Sequence, residues 1–584
     1  MGVKKSFSGK IWNFIEFDEN ILSDFKARVQ ISDLVARIFI NRGFQDPDDI
    51  SQFINAKLKN TIPDPSLLLD MDKGVERIVK AIEQKQNIMI LGDYDVDGIT
   101  STYLIVKYLN LIGLTPNYYI PNRFSDGYGV SENSIERAVQ NKSNLIISVD
   151  SGINSIKEVD IANELGMDFI ILDHHMQLSP QLPNAAAIIN PNRVDQDEIG
   201  YSHIKNLCAA GVVFMFLIAL QRKLKNIGFF DNIEEPNLLN FTDIVTLGTL
   251  CDVMDLRGIN RALTKYTIAK NEYSMGISSL MNAFNIEKIS SPEDLSFFIG
   301  PAINAAGRIG DPHVALNLLL EESSERSQKI AEQLIELNKK RKVIEKQLLS
   351  DAIFMIGEHK LEDKRGICVF GEGWNDGVIG IIAGRLKEKF QKPIFVISIS
   401  ESGIGKGSAR SVNGIHLGKF FEKANACGLV INGGGHALAG GFSIKREKIA
   451  AFQEFINDQI EGEFINTLDI DYSLSVMSDL DQISKEISII EPFGKGIEKP
   501  RFCFKKIRIK HSRKTNTGSH LMFTFSGEFD KGSLRAILFN SNSKSEIVDS
   551  IIQNDGELFD IAGTINYSEQ FGSSIIIDDM RLSD

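Results

Sequence analysis

The sequence predicts a multidomain α/β protein: a parallel-sheet domain, a long helix leading to a smaller α/β domain, and a C-terminal β-barrel. Three observations carry this. Short apolar runs alternate with helical stretches up to about residue 320, which is the pattern of a parallel sheet covered by helices on both faces. A charged helical stretch from Glu321 to about His359 follows, including Gln333-Leu334-Ile335-Glu336-Leu337 and Lys339-Lys340-Arg341-Lys342. From about Asp469 the chain breaks into many short β-like runs. A chain of 584 residues exceeds one hydrophobic core, and about 150 residues per domain implies three or four domains.

Taken in order, residues 1–62 read as a mostly helical segment closed by the Pro63-Asp64-Pro65 break. The domain 63–320 then alternates. Asp72 to Lys85 is helical, Asn87 to Leu91 is a strand, and Ile99 to Leu111 is helical again. Tyr118 to Pro121, Leu145 to Val149 and Phe169 to Leu172 are further buried strands. Right-handed crossovers place ligands at the carboxyl ends of such strands. Residues 321–360 form the connecting helix, its charges mainly a solvated face. Residues 361–460 form the smaller, glycine-rich α/β domain. In 465–584, runs such as Arg501 to Lys510, Leu521 to Phe525 and Ser574 to Asp578 make a small antiparallel barrel the economical reading.

Composition narrows the function. With 43% hydrophobic and 24% charged residues the chain has an ordinary globular balance. Its longest apolar run, Ala209 to Leu220, is too short for a bilayer and reads as a buried helix. No apolar signal core opens the chain, and Met1-Gly2-Val3-Lys4-Lys5-Ser6 fits an acylation pattern so short that chance explains it. Five scattered cysteines without a CxxC pair argue for reduced thiols in the cytoplasm and against a zinc site. A net charge of −13 argues against a general polyanion-binding surface, so any nucleic acid requires a local basic groove.

The chemistry concentrates at three strand ends. Leu91-Gly92-Asp93-Tyr94-Asp95-Val96-Asp97-Gly98 runs an apolar strand into three alternating aspartates and a helix-opening glycine. Carboxylates so close repel one another and call for cations. A calcium loop of the D-x-D-x-D-G type is excluded, because Leu104 stands where its bidentate glutamate belongs. Asp150 ends a second strand, and Asp173-His174-His175 ends a third. One aspartate after a strand is usually a helix cap, but three such ends in consecutive βα units converge on one sheet edge. Asp252 is a candidate fourth acid. Carboxylates with imidazoles suit manganese or magnesium.

Two glycine-rich segments, Gly407-Ser408-Ala409-Arg410-Ser411 and Gly433-Gly434-Gly435-His436, combine exposed backbone N–H groups with a cation or an imidazole, as a phosphate site requires. In the C-terminal module Arg501, Lys505, Lys506, Arg508, Lys510, Arg513 and Lys514 place seven basic residues in fourteen positions without an acid. Phe502, Phe504, Phe523 and Phe525 alternate nearby and are mostly core. Basic strands with aromatics suit a single-strand groove.

Asp93-Tyr94-Asp95-Val96-Asp97, Asp150, Asp173-His174-His175 and Asp252 resemble the four motifs of the DHH phosphoesterase superfamily. Within it the chain is similar to the RecJ family of bacterial single-stranded-DNA-specific exonucleases over almost its whole length. Ile120-Pro121-Asn122-Arg123, Gly127-Tyr128-Gly129, Asn304-Ala305-Ala306-Gly307-Arg308 and Pro492-Phe493-Gly494 join the two glycine-rich segments in the family's order. The resemblance implies a DHH catalytic domain, a DHH-associated domain and a C-terminal OB-fold. It implies two Mn²⁺ or Mg²⁺ ions and 5′→3′ removal of 5′-mononucleotides in DNA repair and recombination. Asp95 and Asp97 would each hold an ion, Asp150 would bridge both, and His174 and Asp252 would complete the coordination of the second ion. His175 would support a ligand or touch the phosphate, and Asp93 would ligate or orient water. Arg123, Ser408 and Arg410 would hold the 5′-terminal phosphate, with Arg308 and His436 facing the scissile one. Such an enzyme needs single-stranded DNA with a 5′ end, is expected to be monomeric, and would be fed by a helicase and a single-strand-binding protein.

Three positions depart from the family pattern: Cys251 for alanine, Asn375 for histidine, and Ala302 for a basic residue. The last two bear on DNA binding, not on the metal ligands. Two other readings compete. A smaller relative's substrate, a short oligoribonucleotide or cyclic dinucleotide, does not need the extra barrel. A non-catalytic scaffold would have lost ligands, and none is missing.

Overall fold

The computed structural model describes residues 4–16, 18–127, 129–198, 202–462, 466–515, 518–529, 532–568 and 572–583. Met1 to Val3 of the N-terminal pattern and Tyr128 of the Gly127–Gly129 segment lie outside the described residues. The chain divides into two compact units, residues 57–464 and residues 1–56 with 465–584. Among the described residues no helix is long and apolar enough to cross a membrane.

In the larger unit, five parallel strands stand in the order Asn117–Tyr119, Ile88–Leu91, Leu145–Val149, Asp168–Leu172, Ala187–Ile189. The strand Ala187–Ile189 has no counterpart in the sequence reading, since three residues are too few for a periodic signal. Every residue of Ile88–Leu91 and Leu145–Val149 is buried, which is why these strands read as unbroken apolar runs. Helices Glu132–Gln140 and Ile156–Glu164 cover one face through Ile135, Ala138, Val159 and Ala162. Helices Met71–Glu83, Val96–Leu111, Ala209–Asn226 and Thr242–Cys251 pack together as a second layer.

The first strand lies between the second and the third, so the chain leaves it toward opposite sides. That switch in strand order opens a crevice at the carboxyl ends of Ile88–Leu91 and Leu145–Val149. The helix after the first strand begins at Val96, three residues before its apolar periodicity starts at Ile99. The reason is a cap: Asp95 accepts a hydrogen bond from the Gly98 N–H at 3.1 Å.

The connecting helix runs Ser324–Glu358. Besides its solvated face it has a buried stripe, Ala331, Leu334, Asn338, Arg341, Glu345, Leu348, Ala352 and Ile356, at spacings of three and four. Arg341 bonds Glu345 at 2.7 Å and Asn338 at 3.1 Å, and Glu345 also pairs with Arg385 of helix Ile379–Phe390. Charged residues in the middle of this helix are therefore partly interior. The helix ends on a second sheet, ordered Asn432–Gly435, Ala439–Lys445, Ile404–Arg410, Ile394–Ile399, Ile367–Glu372. Only the last two of these strands are parallel.

The smaller unit contains the C-terminal barrel. Arg501–Lys514 pairs with Leu521–Gly527, which pairs with Leu534–Leu538, then Gly572–Leu582, then Phe559–Ser568. Phe559–Ser568 pairs back onto Arg501–Lys514, so the ladder returns to its first strand. This order, with helix Ser545–Gln553 between the third and fourth strands, is the OB topology. Phe502, Phe504, Phe523 and Phe525 are all buried. The N-terminal segment is built into the same unit. Strand Ile11–Phe14 pairs in parallel with Thr467–Ile470, Trp12 Nε1 donates to Asp579 at 2.9 Å, and Arg42 bonds Asp471 at 2.6 and 3.1 Å.

Candidate metal centre and phosphate pocket

The residues singled out at three separate strand ends meet in the crevice. Donor atoms of Asp93, Asp95 and Asp150 lie within 4.8 Å of one another, as do those of Asp97, His174 and Asp252, and of Asp150, His174 and His175. His174 Nε2 stands 3.2 Å from Asp150 and 3.7 Å from Asp97, and its Nδ1 stands 3.7 Å from Asp252. Asp150 and His174 thus link two acidic groups. Asp93 falls with Asp95 and Asp150.

Each donor is placed by a local device. Asp93 sits two residues past the end of its strand, and Gly98 lets the next helix close over it: a β-carbon there would lie 2.5 Å from the Asp93 carbonyl oxygen. Asp97 is clamped by the Ala209 and Ala210 N–H groups at 2.7 and 2.9 Å, the free donors at the start of helix Ala209–Asn226. Asp150 has a left-handed φ of 59°, a strained conformation that turns its carboxylate toward its neighbours. Asp173 does not face the cluster as a donor. It accepts from the His174, His175 and Ile153 N–H groups at 2.7, 3.1 and 3.0 Å and bonds His175 Nδ1 at 2.8 Å. It orients the two imidazoles, and Asn190 and Asn192 grip the carbonyls of His175 and His174.

Electrostatics favour cations here. Burial and the neighbouring Asp95 push the Asp93 carboxyl up to about 8, and both its oxygens are buried. Burial and then repulsion from Asp95, Asp97, Asp93 and Asp252 raise Asp150 well above the carboxylate range. Burial raises Asp97 as well. Burial works against His175 too, but Asp173 outweighs it and lifts the imidazole to about 9. Three acids that resist ionising together, with imidazoles among them, form a donor set for hard divalent cations.

Beside this centre a cleft of about 610 Å³ is lined by Tyr94, Arg123, Arg308, Ser408, Arg410 and Gly434, among others. The Arg123 guanidinium lies 4.1 Å from the Tyr94 ring centroid, and its Nε is buried without a hydrogen-bond partner among the described residues. Burial, with Arg123 and Arg341 nearby, pushes Arg308 down to about 10. Arg308 donates to the Gly377 carbonyl at 3.0 Å. Burial also lowers Arg410, which donates to the Ala409 carbonyl and to Ser408 Oγ. Crowded guanidinium groups call for an anion as surely as the crowded acids call for cations.

The glycine run has divided duties. A β-carbon at Gly433 would meet the Phe421 ring at 2.8 Å, and one at Gly435, with φ 150°, would meet the Ala439 carbonyl oxygen at 2.3 Å. Packing requires glycine at both positions, and Gly433 also lines the cleft. Gly434 has nothing within 4 Å and lines the cleft, so its bare backbone faces a ligand. His436 is exposed, and His175 is one of the charges lowering its pKa after burial.

On the barrel, Lys505, Lys506, Arg508 and Lys510 are exposed, but Arg501 is not free for DNA: it bonds Asp578 at 2.7 Å and the Asp469 carbonyl at 3.1 Å. Lys505 also lies 4.9 Å from the Phe14 ring centroid. The departures have structural roles. Cys251 Sγ packs against Gly300, Asn375 Oδ1 accepts from the Gly377 N–H at 2.9 Å, and Ala302 is fully buried. Sequence reasoning missed Tyr94 as the platform for Arg123 and the Ala209–Ala210 clamp. The clamp has no polar side chain and left no signal; Tyr94 stood inside the aspartate motif.

The comparisons show the family and the fold. Residues 87–249 match the DHH family, N-terminal domain; residues 363–462 match the DHHA1 domain; residues 470–575 match the RecJ OB domain. The single-stranded-DNA-specific exonuclease RecJ of Escherichia coli is 32% identical over 81% of this chain and 83% of its own. A crystal structure of RecJ from Thermus thermophilus in complex with Mn²⁺ superposes with a TM-score of 0.80 at 24% identity, covering 98% of this chain and 80% of that one. A structure of exonuclease RecJ bound to manganese gives a TM-score of 0.57 at 28% identity, over 68% of this chain and 95% of that one.

Proposed function

This chain belongs to the RecJ family, and from that premise we propose that it is a metal-dependent exonuclease that degrades single-stranded DNA from the 5′ end, releasing 5′-mononucleotides. The observation that carries this is the juxtaposition of the acidic cluster and the cationic cleft within one unit. One suits a pair of cations and the other suits a phosphate.

Asp93, Asp95 and Asp150 would hold one cation, and Asp97, His174 and Asp252 the other, with Asp150 reaching both groups. When bound, two such ions polarise a phosphodiester, activate water and stabilise the leaving oxygen. Mn²⁺ or Mg²⁺ fits the oxygen-rich donors, and the manganese-bound RecJ structure supports the choice. The protein's own residues supply position. Arg123, Ser408, Arg410 and the Gly434 backbone hold the terminal phosphate. Arg308 and His436 face the phosphate to be cut, and Asp173 keeps His174 and His175 in place. A strand anchored by its end is cut near that end, which makes the activity exonucleolytic.

The exposed basic residues of the OB strand offer a surface for single-stranded DNA. Repair and recombination, a cytoplasmic setting, a monomeric enzyme, and supply of substrate by a helicase and a single-strand-binding protein complete the reading.

Asp150→Asn is the decisive variant, because asparagine tolerates the left-handed backbone while removing the charge. It should bind Mn²⁺ more weakly by calorimetry and lose hydrolysis of a 5′-phosphorylated oligonucleotide by at least about 100-fold, since even supporting residues of metal sites cost 10–100-fold. Full activity in that variant would sink the two-cation assignment.

A further inference from the structure

Helix Gly300–Ile309 spans the candidate metal centre from one donor group to the other. At Gly307 it lies so close to the aspartate loop that a β-carbon would sit 2.3 Å from the Tyr94 carbonyl oxygen. At Gly300 a β-carbon would sit 2.3 Å from Cys251 Sγ, next to Asp252. Seven residues separate the two contacts, about 10 Å along a helix. Arg308, at the far end, enters the phosphate cleft. A line therefore runs from the cleft, past Asp93 and Asp95, past Asp252, to the start of this helix.

What stands at that start is apolar and exposed. Leu295–Ile299 forms a single π-helical turn, a feature that recurs at functional sites. It displays two adjacent rings: Phe297 is 69% exposed and Phe298 is 47% exposed. The edge of Phe284 supports Phe298, with centroids 6.1 Å apart. Val253, directly after Asp252, is 58% exposed and has a left-handed φ of 56°. The charges just before this turn in the chain are Glu293 and Asp294, which repel phosphates but not the faces of bases.

We propose that Phe297 and Phe298 form a stacking platform for the DNA bases that follow the cleaved linkage. The inference rests on the exonuclease reading above and adds a substrate subsite to it. With the terminal phosphate in the cleft, the 10 Å line corresponds to two or three nucleotides for bases stacked at the roughly 3.4 Å per-strand rise of duplex DNA. The rings would then meet bases from about the third nucleotide onward, in a way that tolerates any sequence.

The experiment measures kcat/KM on 5′-phosphorylated oligodeoxynucleotides of two, three, five and eight residues, in Mn²⁺. The wild type should gain from the added bases. Phe297→Ala should lose roughly tenfold on the five- and eight-residue strands, mostly in KM, and nothing on the dinucleotide. Phe297→Trp should keep the gain. Abasic sites at the third and fourth positions should weaken the wild type by a similar factor and leave Phe297→Ala little changed. Because Phe297 is mostly solvent-facing, its removal does not threaten the fold; Phe298→Ala, which also loses Phe284, serves as the second variant. An equal loss at every length, or no loss at any, overturns the platform while leaving the exonuclease reading intact. A wild type that cuts none of the strands overturns both.

Discussion

At the residue scale, the centre depends on side chains that do not themselves face the substrate. Asp173 is fully buried, and although burial opposes its charge, His175 and three backbone N–H groups hold it ionised well below the carboxylate range. Asp173→Asn keeps the shape but cannot accept all these bonds as an anion. Activity, or Mn²⁺ affinity by titration calorimetry, should fall by roughly 10–100-fold, the usual cost of losing a group that orients a metal-ligating histidine. Retention of both would show that the backbone alone aims the imidazoles. The glycines make a second contrast. Gly434→Ala should fold normally, with unchanged melting temperature, yet bind the 5′-phosphorylated end more weakly. Gly435→Ala forces a β-carbon against the Ala439 carbonyl at a positive φ and should destabilise by about 1–3 kcal/mol in denaturant unfolding. The sequence marked Gly433-Gly434-Gly435 as one motif; only their packing separates the duties.

At the element scale, the loop carrying Arg123 is tied by Asp126. Its carboxylate accepts from Tyr119 Oη at 2.6 Å, the Asn122 N–H at 2.8 Å, Asn133 Nδ2 at 2.9 Å and Ser125 Oγ at 3.1 Å. Asp126→Ala should leave metal-dependent cutting in place but reduce the preference for a 5′-phosphate over a 5′-hydroxyl, measured as the ratio of kcat/KM values. An unchanged ratio would mean that Tyr94 holds Arg123 unaided. Burial raises the Asp126 pKa, but these hydrogen bonds outweigh it and leave the folded value below the usual one. Its contribution is therefore complete above the ordinary carboxylate range and is lost as pH falls through the lower folded value. Protection of the loop amides in hydrogen exchange should decline only in that acidic window. Elements were legible in proportion to their length and burial. Leu145–Val149 lies where its apolar run stands, whereas Ala187–Ile189 is too short to show a period.

At the scale of the molecule, the two ends of the chain share a unit. Arg42 and Asp471 are 429 positions apart, with side chains 10% and 4% exposed, and they form a two-pronged ion pair. Removing one partner leaves a buried charge, so Arg42→Ala should cost about 3–5 kcal/mol. Calorimetry should show the loss in the unfolding of the unit that holds the barrel. A loss under about 1 kcal/mol, as for a surface pair, would contradict this account.

By itself the sequence determined the chemistry and the class of fold. Aspartates and histidines at the ends of apolar runs, glycines beside arginines, and a basic strand are local patterns, and local patterns are written in consecutive residues. The tertiary structure decided which donors stand together, that Asp173 bonds His175 and the neighbouring backbone instead of joining those groups, that Arg501 is held by Asp578, and that the N-terminal strand joins the barrel. Each depends on residues distant in the chain meeting through packing, and no spacing along the sequence encodes that distance.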